Sequence, residues 1–206
     1  MPARLFVLAG VNGAGKSSLG GAAIQASSAE FFNPDVAAAR LREQQRGLSA
    51  EQANGLAWTL GRRGLEKALA DGLTYAFETT LGGASITRLL LDGARAGAEV
   101  HVWYAGLATP ELHLKRIAAR VAAGGHDIPE TKVRERFDAS RSNLVKLMPH
   151  LASLSVFDNS IEADPRAGRR PQPVLLLQMQ QRRVIAHAPL RSVPAWAKPL
   201  LAAALR

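Results

Sequence analysis

With 206 residues, 47% of them apolar, the chain is long enough to bury the core of one α/β domain and short for two. It contains no cysteine, which excludes disulfides and thiolate metal sites, and no apolar run approaches the roughly 20 residues of a membrane span. The formal charge of +9 is spread along the chain rather than gathered in a block, which disfavours a nucleic-acid partner and suits a positive cleft for phosphorylated ligands.

In chain order, Arg4-Leu-Phe-Val-Leu-Ala9 reads as a buried strand and Ser17 to Ala26 as a helix. Met1-Pro-Ala-Arg4 leads straight into that strand and leaves no room for a signal peptide, so a soluble, cytoplasmic protein is expected. Between strand and helix, Gly10, Gly15, Lys16 and Ser17 fit the phosphate-binding pattern G-x-x-x-x-G-K-[ST] without a mismatch. Gly10, Gly13 and Gly15 open backbone conformations closed to residues with a Cβ, so successive N–H groups can converge on an anion. The following helix would add its free N–H groups and the positive end of its dipole. Lys16 supplies a charge for the β- and γ-phosphates, and Ser17 a hydroxyl for Mg²⁺. The loop from Gly10 through Asn12, Gly13, Ala14, Gly15, Lys16 and Ser17 to Ser18 is therefore expected to bind ATP with Mg²⁺.

Glu30-Phe-Phe-Asn33 is a short strand stopped by Pro34, and a helix is expected from Val36 to Gln45. Asp35 then lies at a strand's carboxyl end, the edge where ligands bind in open parallel sheets. Ser49-Ala-Glu-Gln52 is a capping-box start for a helix running toward Ala70, with a break expected near Gly61 and Gly64. Leu73 to Phe77 reads as a strand that delivers Glu78, Thr79 and Thr80 to the same edge. A helix from Ser85 to Ala96, a strand from Glu99 to Gly106 and a helix opened by Thr109-Pro110-Glu111 follow. In that last helix His113, Arg116 and Arg120 share a face distinct from the stripe of Leu114, Ile117 and Val121. Gly124 and Gly125 form a hinge before a helix from about Pro129 to Met148 that carries Arg134 and Arg136, and Leu154 to Phe157 is a fifth strand. Ile161 to Pro173 reads as a surface loop, Val174 to Met179 and Arg183 to His187 as a β-hairpin, and Pro194 to Arg206 as a closing helix.

Strands alternating with helices predict a phosphate-loop α/β fold. About five mostly parallel strands carry helices on both faces, with the hairpin and closing helix beyond them. The chain is expected to be a single domain: a core over 1–160, a lid over about 116–141 and an extension over 161–206. Trp58, Trp103 and Trp196 are expected in the core or at its edge.

The motifs together resemble the zeta toxin family of phosphate-loop kinases. The resemblance rests on Gly10-Val-Asn-Gly-Ala-Gly-Lys-Ser-Ser18, Asn33-Pro-Asp35, Glu78-Thr-Thr-Leu81, Arg120-Val-x-x-Gly-Gly-His126-x-Ile-Pro129, Arg134-x-Arg136-Phe137 and Asp158-Asn-Ser160. It implies an ATP-dependent phosphotransferase acting on a hydroxyl of a small molecule, UDP-N-acetylglucosamine in the toxins, and an antitoxin protein as a candidate partner. It also matches Asp35 to the family's catalytic aspartate and suggests that Asn159 seats the adenine.

Physical reasoning assigns compatible roles. Asp35 is the candidate base or orienter of the attacking hydroxyl, and Glu78, Thr79 and Thr80 are candidate substrate contacts. Arg120 with Arg134 or Arg136 would bring planar, bidentate cations to the phosphates from a closing lid, and spacing leaves open which of the later pair does so. His126 is expected to pack or hydrogen-bond at the hinge rather than bind metal. Kinases for other small alcohols, such as antibiotics or nucleosides, remain as alternatives, as does a non-catalytic or nucleic-acid-associated nucleotide-binding protein.

Overall fold

The computed structural model describes residues 1–17, 19, 31–161 and 172–206. Ser18, most of the helix expected to Ala26 and most of the loop expected from Ile161 to Pro173 lie outside the described residues. The strands are β1 (Arg4–Ala9), β2 (Phe31–Phe32), β3 (Thr74–Thr79), β4 (Glu99–Gly106), β5 (Ser153–Asp158), β6 (Val174–Gln180) and β7 (Arg183–His187). The described helices are α1 (Pro34–Gln44), α2 (Ala50–Asp71), α3 (Ala84–Arg95), α4 (Pro110–Ala122), α5 (Glu130–Leu147) and α6 (Lys198–Ala204). None is long and apolar enough to cross a membrane.

One sheet runs in the order β2-β3-β1-β4-β5-β6-β7. The pairs from β2 to β5 are parallel, and β6 and β7 join antiparallel. The expected hairpin joins the edge of that sheet, with Met179 opposite Leu154. This pairing covers β5 and leaves β7 as the edge strand. Gln181 and Arg182 make the two-residue turn at positive φ (46° and 67°), a conformation that glycine or asparagine usually supplies.

The apolar runs of the central strands are covered on both faces, as a parallel sheet requires. One cluster joins Leu5, Val7 and Ala9 of β1 to Leu65 of α2, Leu90 of α3, Leu144 and Leu147 of α5, and Trp196, Leu200 and Leu201 near the carboxyl end. A second joins Leu8, Ala14, Ala105 and Leu107. Trp196 lies against Gly106, where a Cβ would overlap its ring, and its Nε1 donates to Asp158 Oδ1 at 3.2 Å.

α2 is continuous from Ala50 to Asp71, so the break expected near Gly61 and Gly64 does not occur. Those glycines face Phe32 and Tyr75, whose rings occupy the space a Cβ would need. Close helix-to-sheet approach, rather than a kink, accounts for them. The Ser49–Gln52 capping box opens the helix and Gly72, in the left-handed conformation, closes it.

Register levels the carboxyl ends that matter. Ala9 pairs with Thr79 on one side and Tyr104 on the other, and Gly106 pairs with Asp158. β2 and β3 lie on one side of β1 and β4 on the other, so the carboxyl end of β1 is the switch point where such sheets bind ligands.

Candidate active site

The segment leaving β1 has the backbone that its glycines allow. Gly10, Gly13 and Gly15 take φ of 142°, 79° and 75°. At Gly10 a Cβ would overlap the Ala105 carbonyl, and at Gly13 it would lie 2.7 Å from the His113 carbonyl. The loop therefore sits directly on β4 and α4. Lys16 is 7% exposed; its Nζ donates to Gly10 O at 2.8 Å and lies 3.2 Å from Glu78 Oε1. Ser17, next in the chain, is exposed.

A chain of polar contacts links Lys16 to Asp35. The other oxygen of Glu78 accepts from Asn33 Nδ2 at 3.0 Å, and Asn33 Oδ1 caps α1 by accepting from the N–H groups of Asp35 (2.8 Å) and Val36 (3.2 Å). Asp35 thus stands in the first turn of α1, its side chain 45% exposed. Arg120 Nη1 lies 3.5 Å from its Oδ2 and His126 Nε2 lies 3.9 Å from Oδ1. Arg120 also donates to the His126 carbonyl at 3.1 Å, and its buried Nε has no hydrogen-bond partner. The Gly124–Pro129 segment, expected only as a hinge, brings His126 beside the carboxylate.

Thr79 and Thr80 use their hydroxyls on the turn itself, accepting from Leu81 N (3.1 Å) and Gly82 N (3.4 Å). Leu81 is buried at φ 54°, an uncommon conformation for leucine. Its carbonyl accepts from Asn143 Nδ2 at 3.0 Å, and Ser140 Oγ donates to Thr80 O at 2.7 Å while accepting from Tyr104. Burial pushes the Tyr104 hydroxyl up to about 12, so it remains a donor. α5 thereby holds the β3 turn in place.

The two candidate arginines of α5 part company. Arg136 donates to Asn12 Oδ1 at 2.8 Å and lines the cleft, and burial holds its guanidinium below the ordinary value. Arg134 pairs with Glu111 (2.8 Å) and Glu130 (2.7 Å), which raise its value, and it does not line the cleft. Of the alternatives left open by spacing, only Arg136 is brought to the loop.

The cleft beside the loop has a volume of about 800 Å³. Asp35, Glu78, Thr79, Thr80, His126 and Arg136 line one part of it; Asn54, Trp58 and Arg62 of α2 line another. Trp58, expected in the core or at its edge, is 49% exposed, with the Arg62 guanidinium 5.6 Å from its ring centre. By helical period it shares a face with the buried Leu65, seven residues on, so the sequence carried no signal of its exposure.

His113 and Asn159 lie beneath the loop. The His113 Nδ1 is 2.8 Å from Asn12 O; a carbonyl only accepts, so this nitrogen carries the proton. Burial, reinforced by Lys16, Arg116 and Arg141, lowers the ring to about 4, and it is neutral at pH 7. Asn159 Nδ2 donates to Ala14 O at 2.8 Å, and Arg116 donates to Asn159 O, also at 2.8 Å. Both side chains are buried.

A parallel sheet whose central strand runs into this glycine–lysine loop defines a phosphate-loop protein of kinase-like fold. Residues 5–147 match the AAA domain family, and the chain belongs to that family. An uncharacterized protein of Haemophilus influenzae is 31% identical over 133 residues, covering 62% of this chain and 88% of that protein. Among solved structures, a chain of the AvrRxo1-ORF1:AvrRxo1-ORF2 complex with ATP superposes with a TM-score of 0.65 at 17% identity, over 99% of this chain. The present chain spans 64% of that one. A chain from the PezAT chromosomal toxin–antitoxin system of Streptococcus pneumoniae superposes with a TM-score of 0.54 at 17% identity, covering 83% and 75% of the two chains. At these identities the likeness is one of fold, and at that level the resemblance to zeta-toxin-like kinases stands.

Proposed function

We propose that the protein is an ATP-dependent small-molecule kinase that transfers the γ-phosphoryl group to a hydroxyl of a UDP-N-acetylglucosamine-like acceptor. The observation that carries this reading is the polar chain from Lys16 through Glu78 and Asn33 to Asp35, which ties the phosphate loop to a carboxylate facing one cleft. In it Lys16, the N–H groups of Gly13, Gly15, Lys16 and Ser17, and Arg136 bind the phosphates, while the Gly10 and Ala14 N–H groups donate to the carbonyls of Thr79 and Val11. Glu78 and the 79–80 turn shape the acceptor side, and Trp58 offers a ring face to a cyclic acceptor. Arg120 orients Asp35, and the 116–141 segment closes over the nucleotide.

Mg²⁺ fits this arrangement through the exposed Ser17 hydroxyl beside Lys16. Among the described residues no three acidic or histidine side chains form a metal cluster, so phosphate oxygens and water would complete the ion's shell. Bound there, it neutralises charge on the β- and γ-phosphates. In the transfer, Asp35 accepts the proton of the acceptor hydroxyl as its oxygen bonds to the γ-phosphorus. The bond from that phosphorus to the β–γ bridging oxygen breaks, and ADP leaves.

Of the solved structures that share the fold, one is of the AvrRxo1-ORF1:AvrRxo1-ORF2 complex and one comes from a toxin–antitoxin system, which supports an antitoxin-like partner on the same footing. The test is ATP consumption with mass detection of product. A UDP-N-acetylglucosamine heavier by one phosphate, absent with Asp35→Ala, is expected. ATP bound and no sugar phosphorylated would overturn the acceptor assignment.

A further inference from the structure

Two loop carbonyls are held by side chains that project from below. Asn12 O takes its hydrogen bond from the buried His113 of α4, and Ala14 O takes one from the buried Asn159 beyond β5. We propose that His113 and Asn159 are positioning residues, which aim the loop's N–H groups at a phosphate by fixing the carbonyls of Asn12 and Ala14. The inference rests on the reading of this loop as the nucleotide site.

The argument begins with the peptide plane. No described peptide is cis, and in a trans peptide the carbonyl and the next N–H point in opposite directions. Holding Asn12 O toward α4 therefore turns the Gly13 N–H away from α4. Holding Ala14 O toward Asn159 turns the Gly15 N–H the opposite way in turn. Glycine leaves both planes free to rotate, so something outside the loop must set their direction. An anion nest acts through that direction, because its donors need to converge before the anion arrives.

The supports are themselves fixed. His113 packs edge-on against Phe137 with ring centres 5.7 Å apart, and a Cβ at Gly13 would run into its backbone carbonyl. Asn159 is gripped from the other end by Arg116, one turn along α4 from His113. A Cβ at Gly15 would overlap the Asn159 amide nitrogen, so glycine there serves the support as well as the loop. Arg136 reaches Asn12 from α5 through the side-chain oxygen, which leaves the backbone oxygen to His113. Asn159 thus acts on the phosphate end of the nucleotide rather than on adenine, the role suggested by resemblance.

Two probes, ATP and inorganic tripolyphosphate, separate these roles by calorimetry, with thermal melting alongside. His113→Phe keeps a buried ring and removes the donor; His113→Asn keeps a donor near the Nδ1 position and removes the ring. Positioning predicts that His113→Phe weakens both probes about tenfold while His113→Asn stays within about threefold of wild type. A purely packing role predicts the reverse order, with melting temperature and affinity falling together in His113→Asn. Asn159→Leu, matched in size and without the amide, is expected to weaken both probes by the same factor and carries the test if the histidine variants do not fold. Wild-type affinity in His113→Phe, or ATP lost with tripolyphosphate retained in Asn159→Leu, overturns the inference alone. A wild-type protein that binds neither probe overturns the nucleotide site and this inference together.

Discussion

The phosphate loop and the cleft beside it are built by different means. The loop is backbone chemistry: three glycines at positive φ, carbonyls held from below, and a lysine 7% exposed. The cleft is side-chain chemistry, gathered from α1, α2, the β3 turn, the 124–129 segment and α5, with Asp35 and Trp58 about half exposed. A phosphate chain is the same in every nucleotide, so a rigid nest can be made once and buried. An acceptor differs from enzyme to enzyme and has to enter, so the site proposed for it is open and its carboxylate is balanced by the neighbouring Arg120. Rigidity belongs to the shared substrate, and variability to the private one.

The sharpest way to break this division is Asp35→Ala. Turnover should fall by about 10²- to 10⁴-fold with ATP affinity within a few fold, because the proposed role of the carboxylate is toward the acceptor and not the nest. Loss of ATP binding in that variant would place Asp35 on the nucleotide side.

Acid should attack the loop side first. His113 binds its proton at about 4 in the folded protein against 6.5 unfolded, so below pH 6.5 the unfolded chain takes up more protons. Stability should therefore be complete above 6.5 and fall as pH drops toward 4, by on the order of 3 kcal/mol from this group. Chemical denaturation across that window measures it, and His113→Phe should flatten the slope; an unchanged slope would contradict the buried neutral ring.

Smaller effects sharpen the boundary. Arg136→Ala should raise the KM for ATP about tenfold, and Arg134→Ala, which removes an exposed ion pair, should change it less than about twofold. Equal effects in the two variants would contradict the separation. Trp58→Ala should raise the acceptor KM by about threefold to tenfold and leave the ATP KM unchanged, as loss of a ring contact would.

The loop side was largely legible in the sequence, because glycine spacing and the strand before it are local signals. Gly10, Gly13, Gly15 and Lys16 were expected where they stand, as was the delivery of Asp35 and Glu78 to one sheet edge. What supports the loop was not legible. His113 lies about a hundred residues from Asn12, and a lone histidine on a helix says nothing of the carbonyl it will meet. Arg134 and Arg136 are two residues apart, and only the packing of α5 decides that one meets Glu111 while the other meets Asn12. Gly61 and Gly64 suggested a break by propensity, and tertiary contact with Phe32 and Tyr75 overrode it. The hairpin's antiparallel pairing with β5 is likewise a long-range choice that alternation alone does not specify.

Calorimetric titration of ATP into the wild-type protein and Lys16→Ala, with Mg²⁺ present, tests the central claim most directly. Saturable one-to-one binding to wild type, weakened by about a hundredfold or more in the variant, is the expected result, since it removes a buried charge that meets the phosphates. Absent wild-type binding, or equal binding by both proteins, would contradict the phosphate-loop assignment on which every other role here depends.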